Sequence, residues 1–158
     1  MILIADSSAL IALAHCNCLE TLETLFGVVK IPEAVYREVI YEIKPESEKL
    51  KQFLAQKIEK VNILDYLIVE GVLGNGEMEA MALYKKIGGD WLLVDDEKAR
   101  KAARLNNIKI IGSLGVLLIA KERKLIQYIR PYINKIQESN IYYSEKILKE
   151  VFELANEI

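Results

Sequence analysis

The chain begins with the stretch MILIADSSALIALA, residues 1–14, and this stretch decides the fold class. Residues 1–5 form a short, continuous apolar run that Asp6 ends. This is the pattern of a strand buried in a parallel sheet, with polar groups at its carboxyl end. The segment from about residue 8 to 14 is apolar throughout and predicts a buried helix, for which the preceding serine pair would supply the N-cap.

The alternation of strands and helices continues along the rest of the chain. Further strands are predicted at 28–31, at 58–64 as an edge strand or extended segment, at 91–94 and at 108–111. Helices are predicted at 18–25, 32–41, 48–56, 77–86, 97–105, 114–121, from 125 onward and at 144–156, with breaks at 44–47 and 73–76. The pattern predicts one domain over residues 1–158, a three-layer α/β/α sandwich with a central, mainly parallel sheet.

The composition narrows the function classes. The 158 residues carry 21 basic and 23 acidic side chains, a net charge of −2, whereas a constitutive nucleic-acid binder usually has a basic excess. An enzyme that touches nucleic acid briefly and uses a metal ion remains compatible with this charge. One histidine, His15, and two cysteines, Cys16 and Cys18, are too few for a typical zinc site. The shortage of histidine also weakens any mechanism built on a histidine base.

The amino-terminal stretch does not resemble a targeting signal. It lacks a basic segment before its apolar residues, and no apolar run approaches the roughly 18 residues that a membrane helix needs. We therefore expect a cytoplasmic protein with no membrane partner.

Carboxylates stand where a parallel α/β sheet places its sites, beyond the carboxyl ends of the strands. Asp6 follows the first strand, and Asp95 and Asp96 follow the strand predicted at 91–94. Each of these residues could instead be a simple helix N-cap. Glu77 begins a helix after a Gly-Asn-Gly turn, where it could only complement the helix dipole. Glu38 lies within a helix, where it could be a surface residue paired with Arg37 or Lys44.

A cluster of carboxylates needs a cation, because its negative charges repel one another. Hard oxygen ligands with open positions favour Mg²⁺ or Mn²⁺ over zinc. Such ions can orient a water and stabilise a phosphate during in-line attack. The residues therefore predict phosphodiester hydrolysis without a histidine.

Four segments stand in the order DSSALIALA at 6–14, GNGEMEAMAL at 74–83, LLVDDEKAR at 92–100 and GSLGVLLIAK at 112–121. Between the first two lies IPEAV at 31–35, followed by Glu38. Together these segments resemble the PIN-like nucleases, as in the VapC ribonuclease toxins, and one sub-branch of PIN-like proteins in particular. The resemblance covers about residues 1–125 and is expected to extend over the whole chain.

The resemblance implies that the metal-binding acids are Asp6, Glu38, Glu77 and Asp96. Asp95 competes with Asp96, because many PIN-like proteins end this strand with Thr, any residue, then Asp, and two adjacent aspartates leave the register open. Many also have Asp at the position of Glu77, whose longer arm still reaches a metal.

Further residues have a supporting role or an ordinary structural one. Ser7 or Ser8 could hold a metal-bound water or an acid through its hydroxyl, or simply cap the helix. One basic helix face comprises Lys98, Arg100, Lys101 and Arg104. It could contact phosphates near the metal, although a solvated face that pairs with acids is the plainer interpretation. Arg100 is the strongest candidate for a phosphate contact, and Lys121, which lies outside this face, is a weaker one.

The expected function is therefore a Mg²⁺- or Mn²⁺-dependent endoribonuclease. The resemblance adds one specific role, the toxin of a toxin–antitoxin pair. Expected partners are RNA, an antitoxin protein and a second copy of the chain, through the apolar helical segment 19–26 or the carboxyl-terminal helix. The alternative is a catalytically silent PIN-like module that binds nucleic acid or protein. A phosphatase with an Asp nucleophile is disfavoured, since Ser8 stands where its second Asp is commonly found.

Overall fold

The computed structural model describes residues 1–41, 45–66, 68 and 73–158. Within these residues the centre is a five-stranded sheet in the order β3-β2-β1-β4-β5, and every pairing is parallel. This confirms the predicted α/β class with a parallel sheet. The strands are β1 (Ile2–Ala5), β2 (Val28–Pro32), β3 (Ile58–Glu59), β4 (Trp91–Leu93) and β5 (Ile110–Ile111).

Helices cover both faces of the sheet and complete the three layers. Side chains of β1 alternate between the two cores: Leu3 and Ala5 join one cluster, and Ile4 joins the other. Helices α5 and α6 pack on the Ile4 side, whereas α1, α2, α7, α8 and α9 pack on the opposite side. In the described residues the helices are α1 (Ser7–His15), α2 (Leu19–Phe26), α3 (Glu33–Tyr41), α4 (Pro45–Leu54), α5 (Asn75–Ile87), α6 (Glu97–Leu105), α7 (Ser113–Glu122), α8 (Arg130–Gln137) and α9 (Glu145–Leu154).

The position of β1 defines where a site can form. From β1 the chain continues into β2 on one side, while β4 lies on the other, with Ala5 opposite Leu93 in the register. The strand order therefore reverses between β1 and β4. Crevices open at such a switch point beyond the carboxyl ends of the strands, and Asp6 lies directly there.

Several predicted boundaries of helices and strands were wrong by a few residues, mostly at proline or asparagine. Pro32 ends β2 instead of starting a helix. Pro45 begins α4 three residues before the predicted start, which suits its fixed φ and missing N–H. The predicted turn at 73–76 is half helical, because α5 begins at Asn75. Strand β3 is only two residues long, and Lys44 of the predicted break at 44–47 lies outside the described residues.

Two further findings concern the apolar segments and the thiols. Across the described parts of the chain, no single helix is long and apolar enough to cross a membrane, and α1 and α2 meet that test only as a pair bent by 113°. Cys16 and Cys18 are buried free thiols.

Truncation in the core should cost far more stability than truncation at the surface. Leu13 of α1 is fully buried, whereas Leu105 at the end of α6 is 67% exposed. We expect Leu13→Ala to lower the free energy of unfolding by about 2–5 kcal/mol, because it leaves a cavity. The matched control Leu105→Ala should change it by less than about 0.5 kcal/mol. Urea denaturation measures both, and equal losses would contradict the packing described here.

Candidate metal and nuclease site

Asp6 is the buried acid at the switch point. Its amide donates to the carbonyl of Leu93 at 2.9 Å, which fixes the backbone of Asp6 against the end of β4. Its side chain is 3% exposed, and Oδ1 has no hydrogen-bond partner among the described residues. Asp6 occupies the N-cap position of α1, but its side chain makes no capping hydrogen bond. The simple N-cap interpretation therefore does not account for this carboxylate.

The environment of Asp6 shifts its ionisation toward the protonated form. The pKa of Asp6 rises from 3.8 to about 7, chiefly because burial removes water from the charged carboxylate. The Ser7 amide opposes this rise by stabilising the charged form. The negative charges of Glu77, Glu38 and Asp96 add to it, in that order. These three acids are ones that the resemblance implied as metal ligands, and the fold brings their charges near Asp6, whereas the competing candidate Asp95 is not among the charges that act on it.

Glu38 is held by a serine and by a glycine. Its carboxylate accepts a hydrogen bond of 2.7 Å from the Ser7 hydroxyl across the α1–α3 boundary. It also lies against Gly76 in the first turn of α5, where any Cβ would collide with the Glu38 carboxylate. Ser7 is therefore the serine that contacts an acid, whereas Ser8 is exposed.

Glu77 is anchored within its own helix start. Its carboxylate accepts a hydrogen bond of 2.5 Å from the backbone N–H of Gly74, the N-cap residue of α5. A glutamate three residues after the N-cap commonly satisfies this donor. The contact orients Glu77 at the start of α5, close enough for its charge to raise the pKa of Asp6.

The two adjacent aspartates after β4 have different partners. Asp96 caps α6 through a 2.9 Å hydrogen bond from the Ala99 amide, and its residue is otherwise exposed. Asp95 turns toward α7, where its two oxygens accept from the amide and the hydroxyl of Ser113, each at 2.7 Å. Only Asp96 is among the charges that raise the pKa of Asp6.

A buried polar network behind Asp95 was not anticipated from the sequence. The Ser113 hydroxyl is fully buried and also forms a 2.8 Å hydrogen bond with the Tyr143 hydroxyl. Burial raises the pKa of Tyr143 well above its usual range. The only sequence signal was the Gly112-Ser113 pair at the end of β5, and nothing local linked it to a tyrosine thirty residues later.

Most of the basic candidates have structural contacts. Arg100 donates to the Val94 carbonyl at 2.9 Å, and Arg104 lies 3.9 Å from Glu97. Lys98 and Lys101 are exposed. Lys121 donates to Glu157 at 2.8 Å and also to the carbonyl of Ala155, so it fastens the end of the chain.

Glu79, which lies two residues beyond Glu77, serves another helix. It accepts a hydrogen bond of 3.3 Å from the Ala34 amide in the first turn of α3. This contact connects α5 to the helix that carries Glu38. The supporting role of Glu79 was missed, because its partner lies 45 residues away in the sequence.

The donor set fits a hard divalent cation, although its side chains do not converge as they stand. Across the described ranges, no three Asp, Glu, His or Cys side chains form a group that could hold an ion. Three of the four acids instead accept hydrogen bonds from nearby donors. Glu38 accepts from Ser7, Glu77 from Gly74 and Asp96 from Ala99. The buried, unpartnered Oδ1 of Asp6 is the oxygen that such a cation would satisfy, and oxygen-only donors suit Mg²⁺ or Mn²⁺.

The sequence comparison gives the family. The family model DUF3368, a PIN domain, matches residues 2–157. The chain belongs to the PIN domain family. PIN domains are generally nucleases and typically use divalent metals such as Mg²⁺. No curated protein matches the chain significantly. The family match confirms the resemblance to PIN-like proteins, and the parallel sheet agrees with it.

The raised pKa of Asp6 predicts how the stability of this PIN domain depends on pH. Between pH 3.8 and about 7 the folded protein keeps a proton on Asp6 that the unfolded chain has lost, so this group's contribution to stability falls as pH rises through that window. In metal-free buffer, Asp6→Asn should therefore be more stable than the parent by about 1–3 kcal/mol at pH 8 and nearly equal at pH 4. Urea denaturation at both pH values tests this, and an identical pH dependence of the two proteins would contradict it.

The two adjacent aspartates should differ in their structural importance. Asp95→Asn should lower the free energy of unfolding by about 1–2 kcal/mol, because it disturbs both hydrogen bonds from Ser113. Asp96→Asn should change it by less than about 0.5 kcal/mol, since Asn caps helices as well as Asp does. Thermal and urea unfolding of the pair measure the contrast, and the reverse order would exchange the two roles.

Proposed function

We propose that this PIN domain is a Mg²⁺- or Mn²⁺-dependent endoribonuclease that hydrolyses RNA phosphodiester bonds. The observation that carries the proposal is the buried Asp6 carboxylate, whose Oδ1 has no partner and whose charge is opposed by Glu77, Glu38 and Asp96. A protein gains no stability from such an arrangement above neutral pH. A cation that binds these acids would relieve the repulsion, so the arrangement favours function over a structural role.

Asp6, Glu38, Glu77 and Asp96 are the residues that would hold the ion. A divalent ion supplies charge that stabilises the reacting phosphate and lowers the pKa of a bound water. The chain's own part is to hold the acids in place. Ser7 and Gly76 fix Glu38, and the Gly74 amide orients Glu77. We propose that Asp95 supports the segment after β4 through its hydrogen bonds from Ser113 and does not itself bind the metal.

The single histidine is engaged away from these acids. His15 Nδ1 lies 2.9 Å from Glu46, in a contact between α1 and α4. His15 is the last residue of α1 and Asp6 immediately precedes the helix, so a rise of nine residues places the two about 13.5 Å apart along the helix axis. This separation supports a mechanism that uses carboxylates and a cation instead of a histidine base.

A second candidate, a catalytically silent binding module, is favoured by one observation. In the described residues the acids are not converged into a ready metal site, because local donors hold Glu38, Glu77 and Asp96. The endoribonuclease proposal requires these side chains to turn toward a shared ion. Titration calorimetry with Mn²⁺ separates the two candidates, because a silent module would release no heat of binding that depends on Asp6.

The biological role is a further part of the proposal. A toxin of a toxin–antitoxin pair is the role that the PIN-like nucleases suggest, with RNA as substrate and an antitoxin protein as partner. The apolar side chains of α2 are buried in the core, whereas α9 exposes Ile147 and Leu154. We therefore propose α9 as the surface for a homodimer or antitoxin contact. Free Cys16 and Cys18 support a reducing, cytoplasmic location.

The activity test uses isosteric variants of the acids. With Mn²⁺ or Mg²⁺, the parent protein should cleave single-stranded RNA, and Asp6→Asn, Glu38→Gln and Glu77→Gln should each lower the rate by about 100-fold or more, since losses in metal sites reach this size. Gel analysis of a labelled RNA measures the rates. Glu153→Gln, an exposed change on α9, is the matched control and should cleave at the parent rate. Equal cleavage by Asp6→Asn and the parent would show that the activity does not come from this site.

A further inference from the structure

A cleft opens between α1, α3 and α4, beside the acid cluster formed by Asp6, Glu38, Glu77 and Asp96. Its volume is about 480 Å³, within the roughly 300–1,000 Å³ of small-molecule sites. Ser7 and Glu38 form the wall that it shares with the acid cluster. Val39 and Leu50, both almost fully buried, contribute apolar surface to the lining. A group bound in this cleft would therefore lie next to whatever the acids bind.

The rim of the cleft carries an exposed aromatic side chain and a cation. Arg37 and Tyr41 both line the cleft and are four residues apart on α3, so they are neighbours on one helix face. Tyr41 is 87% exposed, although it is a large aromatic residue. Aromatic rings exposed at a cleft are typical stacking platforms for unpaired bases, and arginine contributes both stacking and phosphate contacts.

We propose that this cleft binds an unpaired nucleobase of the RNA substrate, next to the phosphodiester bond that is cleaved. Tyr41 stacks on the base, and Arg37 contacts the adjoining phosphate. The inference rests on the proposed endoribonuclease function and deepens it, because it names the residues that select single-stranded RNA at this site. Bases held within a duplex are paired and stacked, and they could not enter the cleft.

The charges of the lining favour a base over a phosphate within the cleft itself. Two carboxylates, Glu38 and Glu46, face the cleft and would repel a phosphate held between them. A neutral base carries no charge for these carboxylates to repel, and its faces suit the apolar surface of Val39 and Leu50. Among the described residues that line the cleft, the exposed Arg37 is the cation that can contact the phosphate outside it. The apolar lining, the two carboxylates and this rim cation therefore favour one nucleotide of single-stranded RNA with its base inside the cleft.

Fluorescence anisotropy with a labelled eight-nucleotide single-stranded RNA tests the proposal. Binding is measured in EDTA and again with Ca²⁺. Tyr41→Ala should weaken binding by about 10-fold, since a base–aromatic stack is worth 1–3 kcal/mol. Tyr41→Phe should bind like the parent, because it keeps the ring. Tyr142→Ala is the matched control, as Tyr142 is 73% exposed but does not line the cleft, and it should leave binding unchanged.

The cleavage assay then adds an independent readout. In Mn²⁺, Tyr41→Ala should raise KM for single-stranded RNA about 10-fold and leave kcat near the parent value, because it removes binding and not the acids. A blunt duplex of the same sequence should bind the parent more weakly than the single strand does. Circular dichroism confirms that the exposed substitution preserves the fold.

The outcomes separate this inference from the proposed function. If the parent cleaves RNA but Tyr41→Ala binds and cleaves like the parent, the base subsite is overturned while the nuclease stands. If binding depends on Tyr41 but no divalent ion gives cleavage, the base subsite stands and the nuclease proposal fails. The base subsite is also overturned if the parent binds no RNA in either buffer.

Discussion

The burial of one carboxylate at the end of β1 is the constraint on which the rest of the site depends. Asp6 lies where the strand order reverses, and its backbone is fixed by the carbonyl of Leu93. Burial and three neighbouring acids raise its pKa to about 7, so the charged form is costly near neutral pH. A fold selected for stability alone would place an apolar or hydrogen-bonded side chain here. The surrounding hydrogen bonds hold Glu38, Glu77 and Asp96 close to Asp6.

Each of those acids is held by a contact that packing elsewhere makes possible. Gly76 leaves room for the Glu38 carboxylate where it accepts from Ser7, and a Cβ at residue 76 would force that side chain to shift. The α3–α5 contact that brings Gly76 and Glu38 together also includes the hydrogen bond from the Ala34 amide to Glu79. The sequence GNGEMEA therefore serves two helices: Gly76 and Glu77 belong to the site, and Glu79 fastens the helix that carries Glu38.

The sequence predicted the parallel sheet, because a sheet follows from local patterns. The set Asp6, Glu38, Glu77 and Asp96 came from the resemblance to PIN-like proteins, and its role as a metal site stays a prediction. An apolar run ended by an acid marks the carboxyl end of a buried strand, and carboxyl ends of neighbouring parallel strands meet at one edge. The boundaries at Pro45 and Asn75 were missed, since both residues suit a helix start as well as a turn. The roles of Asp95 and Asp96 could not be separated from the sequence. Adjacent residues point in different directions, and the partner that distinguishes them, Ser113, is 18 residues away.

The net charge of −2 places a physical condition on any RNA-cleaving role. Long-range attraction from the whole protein is weak at this charge, so local groups must supply affinity for a polyanion. Of the basic residues first considered, Arg100 is committed to a backbone carbonyl and Lys121 to the end of the chain, whereas Lys98 and Lys101 are exposed. Under the proposals made above, affinity would come from a metal ion on the acids, from a rim cation such as Arg37, and from stacking on Tyr41. Stacking depends little on ionic strength, whereas phosphate contacts depend on it strongly. An enzyme built in this way would select RNA by its unpaired bases more than by its charge, and its affinity would fall only gently as salt increases.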